Sequence, residues 1–224
     1  MAKRWLRLCL TLLAMALGLF LGRSVRAEEG VWIGSFNQVA LTDTKMGPRL
    51  WLDLHDRRGS TGTVHIVRPA VGWALGEHTT VWMGYAWVPT IFDEAETTNE
   101  HRIWQQAIVM GSPVEGLSLS FRPRLEERFL ADEDLALRLR LFGRAGLRLG
   151  DGWGVVAWDE LFVQLNEPGW TAPQGIDQNR LFIGPMVQPT PGVRVEVGYL
   201  NQAVPRPDAT VFNHIGAMNL FLSF

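Results

Sequence analysis

The stretch VFNHIGAMNLFLSF, residues 211–224, closes the chain and decides how the rest is read. Successive side chains of a strand point to opposite faces. Phe224, Leu222, Leu220, Met218 and Gly216 therefore share one face, and Ser223, Phe221, Asn219, Ala217 and Asn213 share the other. The first face is greasy and the second mostly small or polar. That pattern suits a strand whose greasy face looks at lipid; the alternative is an edge strand of a soluble sandwich.

Composition narrows the choice. The 224 residues are within reach of one domain. A chain that is 47% hydrophobic with a mean hydropathy of +0.04 is too polar for a bundle of membrane helices. A lipid-facing barrel hides in such numbers, because only alternate residues of each strand are apolar. Beyond the N-terminus no apolar run approaches the ~20 residues that a spanning helix needs, so the membrane route left is a barrel.

The N-terminus reads as an export signal. Lys3, Arg4 and Arg7 precede an apolar core from Leu8 to Leu21, and Val25-Arg26-Ala27 forms a small-x-small cleavage site before Glu28. The expectation is a signal peptide over residues 1–27, cleaved after Ala27, and a barrel over 28–224; an uncleaved helical anchor is the alternative. Cys9 lies in that signal, away from the small-residue context of a lipoprotein box. The mature chain then has no cysteine, which excludes a disulfide framework and thiolate metal sites. Without Lys3, Arg4, Arg7, Arg23 and Arg26, 16 basic residues face 23 acidic ones, a net charge of −7. Nucleic-acid binding has no support in such a chain, and any positive region must arise from placement.

Period-two segments follow one another: Val31 to Leu41, Arg49 to Asp56, Thr63 to Ala74, Thr79 to Val88, His101 to Met110, Leu117 to Arg128, Asp134 to Leu149, Trp153 to Leu165, Gln178 to Gln188, Val193 to Gln202 and Val211 to Phe224. Short separators at Leu75 to His78, Gly111 to Gly116, Gly150 to Gly152 and Pro189 to Gly192 alternate with longer ones at Pro89 to Glu100, Asn166 to Asp177 and Ala203 to Thr210. Short periplasmic turns opposite long outer loops are the build of an outer-membrane up-and-down barrel. With both chain ends in the periplasm the strand number must be even. The expectation is an all-β, transmembrane antiparallel barrel of about ten strands, with twelve as the alternative. Val31 to Leu41 is then left to cross the lumen, lie in the periplasm or join the wall as an extra strand.

The faces can be assigned by charge. Leu135, Leu137, Leu139 and Leu141 alternate with Arg138, Arg140 and Arg144; Leu117, Leu119, Phe121 and Leu125 with Arg122, Arg124, Glu126 and Arg128; Val193, Val195, Val197 and Tyr199 with Arg194 and Glu196. An Arg on the lipid side at the midplane costs about 2–4 kcal/mol, so the charged set faces inward. Glu160 and Arg180 join it by the same parity. Trp87, Trp153, Trp170 and Tyr199 lie near strand ends, where aromatic girdles sit.

A Trp near the mature start, an Arg-rich strand carrying a Glu, Asn179-Arg180-Leu181 opening a strand that ends in Pro-Gly, the Gly198-Tyr199-Leu200 strand and the closing aromatic strand resemble a family of bacterial outer-membrane barrels known only as a domain of unknown function. The resemblance spans about Glu28 to Phe224. It implies a fold and a Gram-negative outer-membrane location, and no activity. It also implies that Phe224, with Leu220 and Leu222, is read as an assembly signal by the barrel-assembly machinery, and that lipopolysaccharide is among the surrounding lipids.

Three functions are compatible with these residues. One is a structural barrel with an Arg-rich lumen, since a ten-stranded barrel is barely wider than those that side chains fill. Another is a narrow, porin-like but anion-preferring channel or solute pocket, because rings of Arg select anions. The third is a lipid-modifying enzyme of the outer membrane, which would need a Ser–His pair at the outer rim. His214 has the parity for that, but no Ser matches it, and His55 and His65 stand alone in the sequence. No catalytic residue and no cofactor are assigned. Asp93, Glu94, Glu96 and Glu100, with Asp132, Glu133 and Asp134, read as solvated loop acids rather than a metal site.

Overall fold

The computed structural model describes the Ser24–Val25 backbone and residues 29–224. The rest of the export signal and its cleavage site fall outside the described residues. Two-residue periodicity becomes strand throughout: β1 (Ser24–Val25), β2 (Glu29–Ala40), β3 (Met46–Gly59), β4 (Gly62–Leu75), β5 (Thr79–Phe92), β6 (Thr98–Val114), β7 (Leu117–Phe129), β8 (Ala136–Gly150), β9 (Trp153–Gln164), β10 (Gly175–Thr190), β11 (Val193–Pro205) and β12 (Thr210–Ser223). Each of the eleven expected segments is a strand, extended at most of its ends, and β1 is a two-residue addition.

From β2 to β12 every strand pairs antiparallel with the next, and β12 pairs with β2 to close the barrel. That last pairing is parallel, from His214↔Glu29 to Ser223↔Gln38. β1 adds Ser24↔Thr210 and Val25↔Val211 upstream on the same edge of β12. The wall therefore holds eleven strands, β2 to β12. The even count of ten fails because it placed both ends at one rim. A parallel seam joins strands that run the same way, which an odd number requires. Val31 to Leu41 is the extra wall strand.

One rim carries the connections at 41–45, 76–78, 115–116, 151–152 and 191–192. The other carries 93–97, 130–135, 165–174 and 206–209, with a tight turn at 60–61. Gly152, at φ +75°, shows why the first rim can be so tight: a left-handed residue reverses the strand, and a Cβ there would stand 3.0 Å from the Gln188 carbonyl oxygen.

Outside, apolar residues stand in the open at alternate positions, with Val71 62%, Ile183 60% and Met83 56% exposed. An apolar surface continuous around the wall is far beyond the patches that soluble monomers tolerate. Trp73 and Trp153 face out near the short-turn rim, and Tyr85, Trp87 and Tyr199 face out further toward the loops. Trp170 does not join them. Its indole N–H donates to the Asp134 carbonyl and its ring lies under Arg128, so it serves the loops.

Inside, two apolar clusters flank a charged strip. Trp51, Ile66, Ala70, Trp82, Ala86, Val88 and Trp104 pack across β3 to β6. Val156, Phe182, Leu200, Ile215 and Ala217 pack across β9 to β12. The first cluster depends on missing side chains: a Cβ on Gly84 would meet Trp104 Cζ2 at 2.4 Å and Ala70 Cβ at 2.6 Å. Between the clusters, β7 to β9 present the arginines and glutamates.

Candidate functional site

β7 and β8 pair in the register Arg124↔Arg140 and Glu126↔Arg138, which brings same-face charges side by side. Glu126, 1% exposed, accepts from Arg138 at 2.6 Å and Arg140 at 2.5 Å, and lies 3.6 Å from Arg124. Across β9, Glu160 binds Arg140 and Arg122, each at 2.7 Å. Nearer the short turns, Glu196 binds Arg144 at 2.7 Å and Arg194 at 2.9 Å. Nearer the loops, Glu100 holds Arg102 at 2.7 Å and Arg128 at 2.6 Å. Asp177 reaches Arg138 at 3.2 Å, and Asp53 binds Arg68 at 2.6 Å. Most of these carboxylates are shared by two guanidinium groups. Buried charges are tolerated only with such pairing, and the forked geometry of Arg supplies it.

Arg57 and Arg180 break the pattern. Neither forms an ion pair among the described residues: Arg180 donates one bond, to Gln178 at 3.0 Å, and Arg57 Nε is buried without a partner. Both stack on Trp32 instead, Arg57 at 4.5 Å and Arg180 at 4.7 Å from its centroid. Arg180 also lies 4.5 Å from the Phe162 ring and Arg140 lies 4.6 Å from it. Such cation–π contacts are strongest where water is excluded.

These residues divide the interior. A cavity of about 360 Å³ lies toward the loops and one of about 180 Å³ toward the short turns. Trp32, Arg57, Arg140 and Arg180 line both, and so form a septum between them.

Arg122, Arg124, Glu126, Arg128, Arg138, Arg140, Arg144, Glu160, Arg180, Arg194 and Glu196 all take part in the interior contacts above, Arg124 also through Gln106 at 2.6 Å. Sequence reasoning missed Trp32, Asp53, Arg57, Arg68, Arg102 and Asp177, and left Glu100 among the loop acids. Glu100 instead turns inward onto its two arginines, so the acids from Asp93 to Glu100 do not converge. The overlooked signal was the inward step-two series Trp51, Asp53, His55, Arg57, in a strand whose other face is Leu50, Leu52, Leu54.

At the chain's end, Phe224 is 72% exposed, while Leu220 and Leu222 are half-buried. The Phe224 N–H donates to Gln38 at 3.0 Å and its carbonyl accepts from Ala40 at 2.7 Å, which fastens the terminus onto β2.

His214, His55 and His65 are not isolated, contrary to expectation, and His101 is partnered as well. His214 Nδ1 lies 2.5 Å from the Tyr199 hydroxyl and His101 Nδ1 the same distance from that of Tyr85, both couples on the outward face. His55 Nε2 lies 3.1 Å from Arg68 and 3.8 Å from Asp53, and His65 lies 3.3 Å from Asp56. Among the described residues their polar partners are phenols, guanidinium and carboxylates, and none is a Ser hydroxyl.

Residues 29–213 match a family model described as "Protein of unknown function (DUF2490)". An uncharacterized protein of Methylorubrum extorquens is 35% identical over 164 residues, 71% of this chain and 72% of that one. Among solved structures, LpxR from Salmonella typhimurium is similar with a TM-score of 0.50 and 10% identity, over 87% of this chain and 88% of that chain. At that identity the likeness is of fold alone, a closed β-barrel. On the family match and its extent, the chain belongs to the DUF2490 family of proteins of unknown function.

Proposed function

We propose that this chain is an outer-membrane barrel whose arginine-rich interior is filled and braced, a structural barrel rather than an open porin-like channel. The observation that carries the reading is the septum: Trp32, Arg57, Arg140 and Arg180 line both cavities and stand between them. The paired charges above and below it tie β6 to β11 together across the interior, which suits a brace. An anion-preferring channel would need these groups withdrawn from the axis, whereas the arginines here are stacked on rings and shared among carboxylates.

The exposed apolar wall supports outer-membrane placement, and on this reading the long loops face outward and the short turns lie in the periplasm. Lipopolysaccharide would then contact the loop-side wall. Export would use the N-terminal signal cleaved after Ala27, and the barrel-assembly machinery would read Phe224 with Leu220 and Leu222. Two measurements test this. The protein should fractionate with outer membranes and migrate faster unboiled than boiled on a denaturing gel. In a planar bilayer the purified barrel should give no steady conductance; a stable ohmic step in the unmodified protein would overturn the closed reading.

A further inference from the structure

The loop-side cavity has two unlike walls. Its lining contains seven arginines against two glutamates, Glu29 and Glu100. Glu100 is already shared by Arg102 and Arg128, and Glu29 stands exposed at the start of β2. The carboxylates behind the wall, Glu126, Glu160 and Asp177, are committed to Arg122, Arg138 and Arg140. That leaves Arg57 and Arg180 at the floor with no carboxylate in ion-pair contact among the described residues: Glu160, opposite Arg180 in the register, and Asp177 attract it only at longer range, and Arg180 is only 8% exposed. A cation withdrawn from water without a counter-charge is costly. An anion entering from the loop side removes that cost, and the forked guanidinium groups suit a carboxylate or phosphoryl head.

The facing wall is apolar. Val64, Ile66, Val88 and Phe92 from β4 and β5 line the same cavity, Ile66 and Val88 almost wholly buried. An inorganic anion would satisfy the arginines and leave this surface against water. The stacking face of Trp32 is engaged by Arg57 and Arg180, so recognition through an aromatic ring of the ligand has no surface there. At about 360 Å³ the cavity falls at the small end of ligand sites.

From this we infer that the loop-side cavity is a binding site for a small amphipathic organic anion, its charged head on Arg57 and Arg180 and a short alkyl body against Ile66 and Val88. The site depends on the cavity being open toward the loops. It does not depend on the lack of conductance, so a conducting barrel would overturn the closed reading and leave this one to its own test.

The test uses the full barrel carrying Thr90→Cys, a cavity-lining position, with hexyl phosphate, hexanoate, inorganic phosphate and hexylamine as probes. Hexyl phosphate or hexanoate should slow alkylation of the introduced thiol saturably. Hexylamine should give no protection, and inorganic phosphate should need at least ~10-fold higher concentration, since it lacks the alkyl chain whose burial favours binding. Calorimetric titration should show hexyl phosphate binding weakened at least ~10-fold by Arg57→Gln and by Arg180→Gln, the size of one lost charged hydrogen bond. Failure of both alkyl anions to protect overturns the proposal, as does equal protection by hexylamine. Inorganic phosphate as effective as hexyl phosphate removes the apolar half, and unchanged affinity in both folded variants removes the assigned floor. Should the arginine variants not fold, protection of the Thr90→Cys thiol in the otherwise native barrel still decides.

Discussion

Replacing Glu126 with Ala removes the carboxylate that holds Arg138 at 2.6 Å and Arg140 at 2.5 Å, and it also withdraws a negative charge 3.6 Å from Arg124. At an effective dielectric of 20 each close pair is worth about 4 kcal/mol, a gross loss of about 8 kcal/mol for the two. Relief of the buried carboxylate's own desolvation returns several kcal/mol, and measured losses on breaking a buried pair are about 3–5 kcal/mol. The lower end applies here because no arginine is wholly stranded: Arg140 keeps Glu160 at 2.7 Å, Arg138 keeps Asp177 at 3.2 Å and Arg124 keeps Gln106 at 2.6 Å. Urea unfolding of the lipid-reconstituted barrel, followed by the gel-mobility difference, reads this directly. With slopes of about 1–3 kcal/mol/M, a 3 kcal/mol loss lowers the midpoint by about 1–3 M. The same substitution in an Arg138→Gln background should cost less, because one interaction is already gone. An unchanged midpoint, or full additivity of the two changes, would refute the idea that shared carboxylates brace the interior.

Deleting Phe224 removes the two backbone bonds to Gln38 and Ala40 as well as the expected recognition signal, so the heat-modifiable form in outer membranes should fall sharply while export continues; parental levels would contradict both roles. Gly84→Val places a side chain where even Cβ would sit 2.4 Å from Trp104, and overpacking of that kind should destabilise by about 1–3 kcal/mol in the same urea assay. Trp32→Ala takes away the ring on which Arg57 and Arg180 stack and should convert a silent barrel into a conducting one. Reversal potentials across a salt gradient should then show anion preference, weakened or inverted by Arg138→Glu with Arg140→Glu; selectivity untouched by that pair in a folded variant would place them off the path.

How much was legible depended on the contrast between the two faces of each strand. In β7, β8 and β11 leucine or valine alternates with arginine, and the cost of a lipid-facing guanidinium settled both the strand and its inward side. β4 and β5 have no such contrast, because they carry apolar residues on both faces: Ile66 and Val88 inward, Val71 and Met83 outward. Inward charge in β3 and β4 is sparse: Asp53 meets Arg68 between these consecutive strands, and Arg57 gains meaning only from Trp32 and, beyond it, Arg180. The septum was out of reach for the same reason, since Trp32 meets Arg180 across the barrel. Strand number was lost to a rule about where chains end, not to any misread strand.

The seam between β2 and β12 runs ten registered pairs, about 30 Å at ~3.3 Å per residue. In a barrel with antiparallel closure the first and last strands can be joined by a turn and the chain reopened elsewhere. Here Glu29 and Ser223 stand at opposite rims, and a connector would have to travel the height of the wall, about ten extended residues, along the lumen or across lipid. Circular permutation by a short linker is therefore closed to this architecture. Its size can grow or shrink only by whole hairpins inserted between β2 and β12, which leaves the count odd and the parallel seam in place.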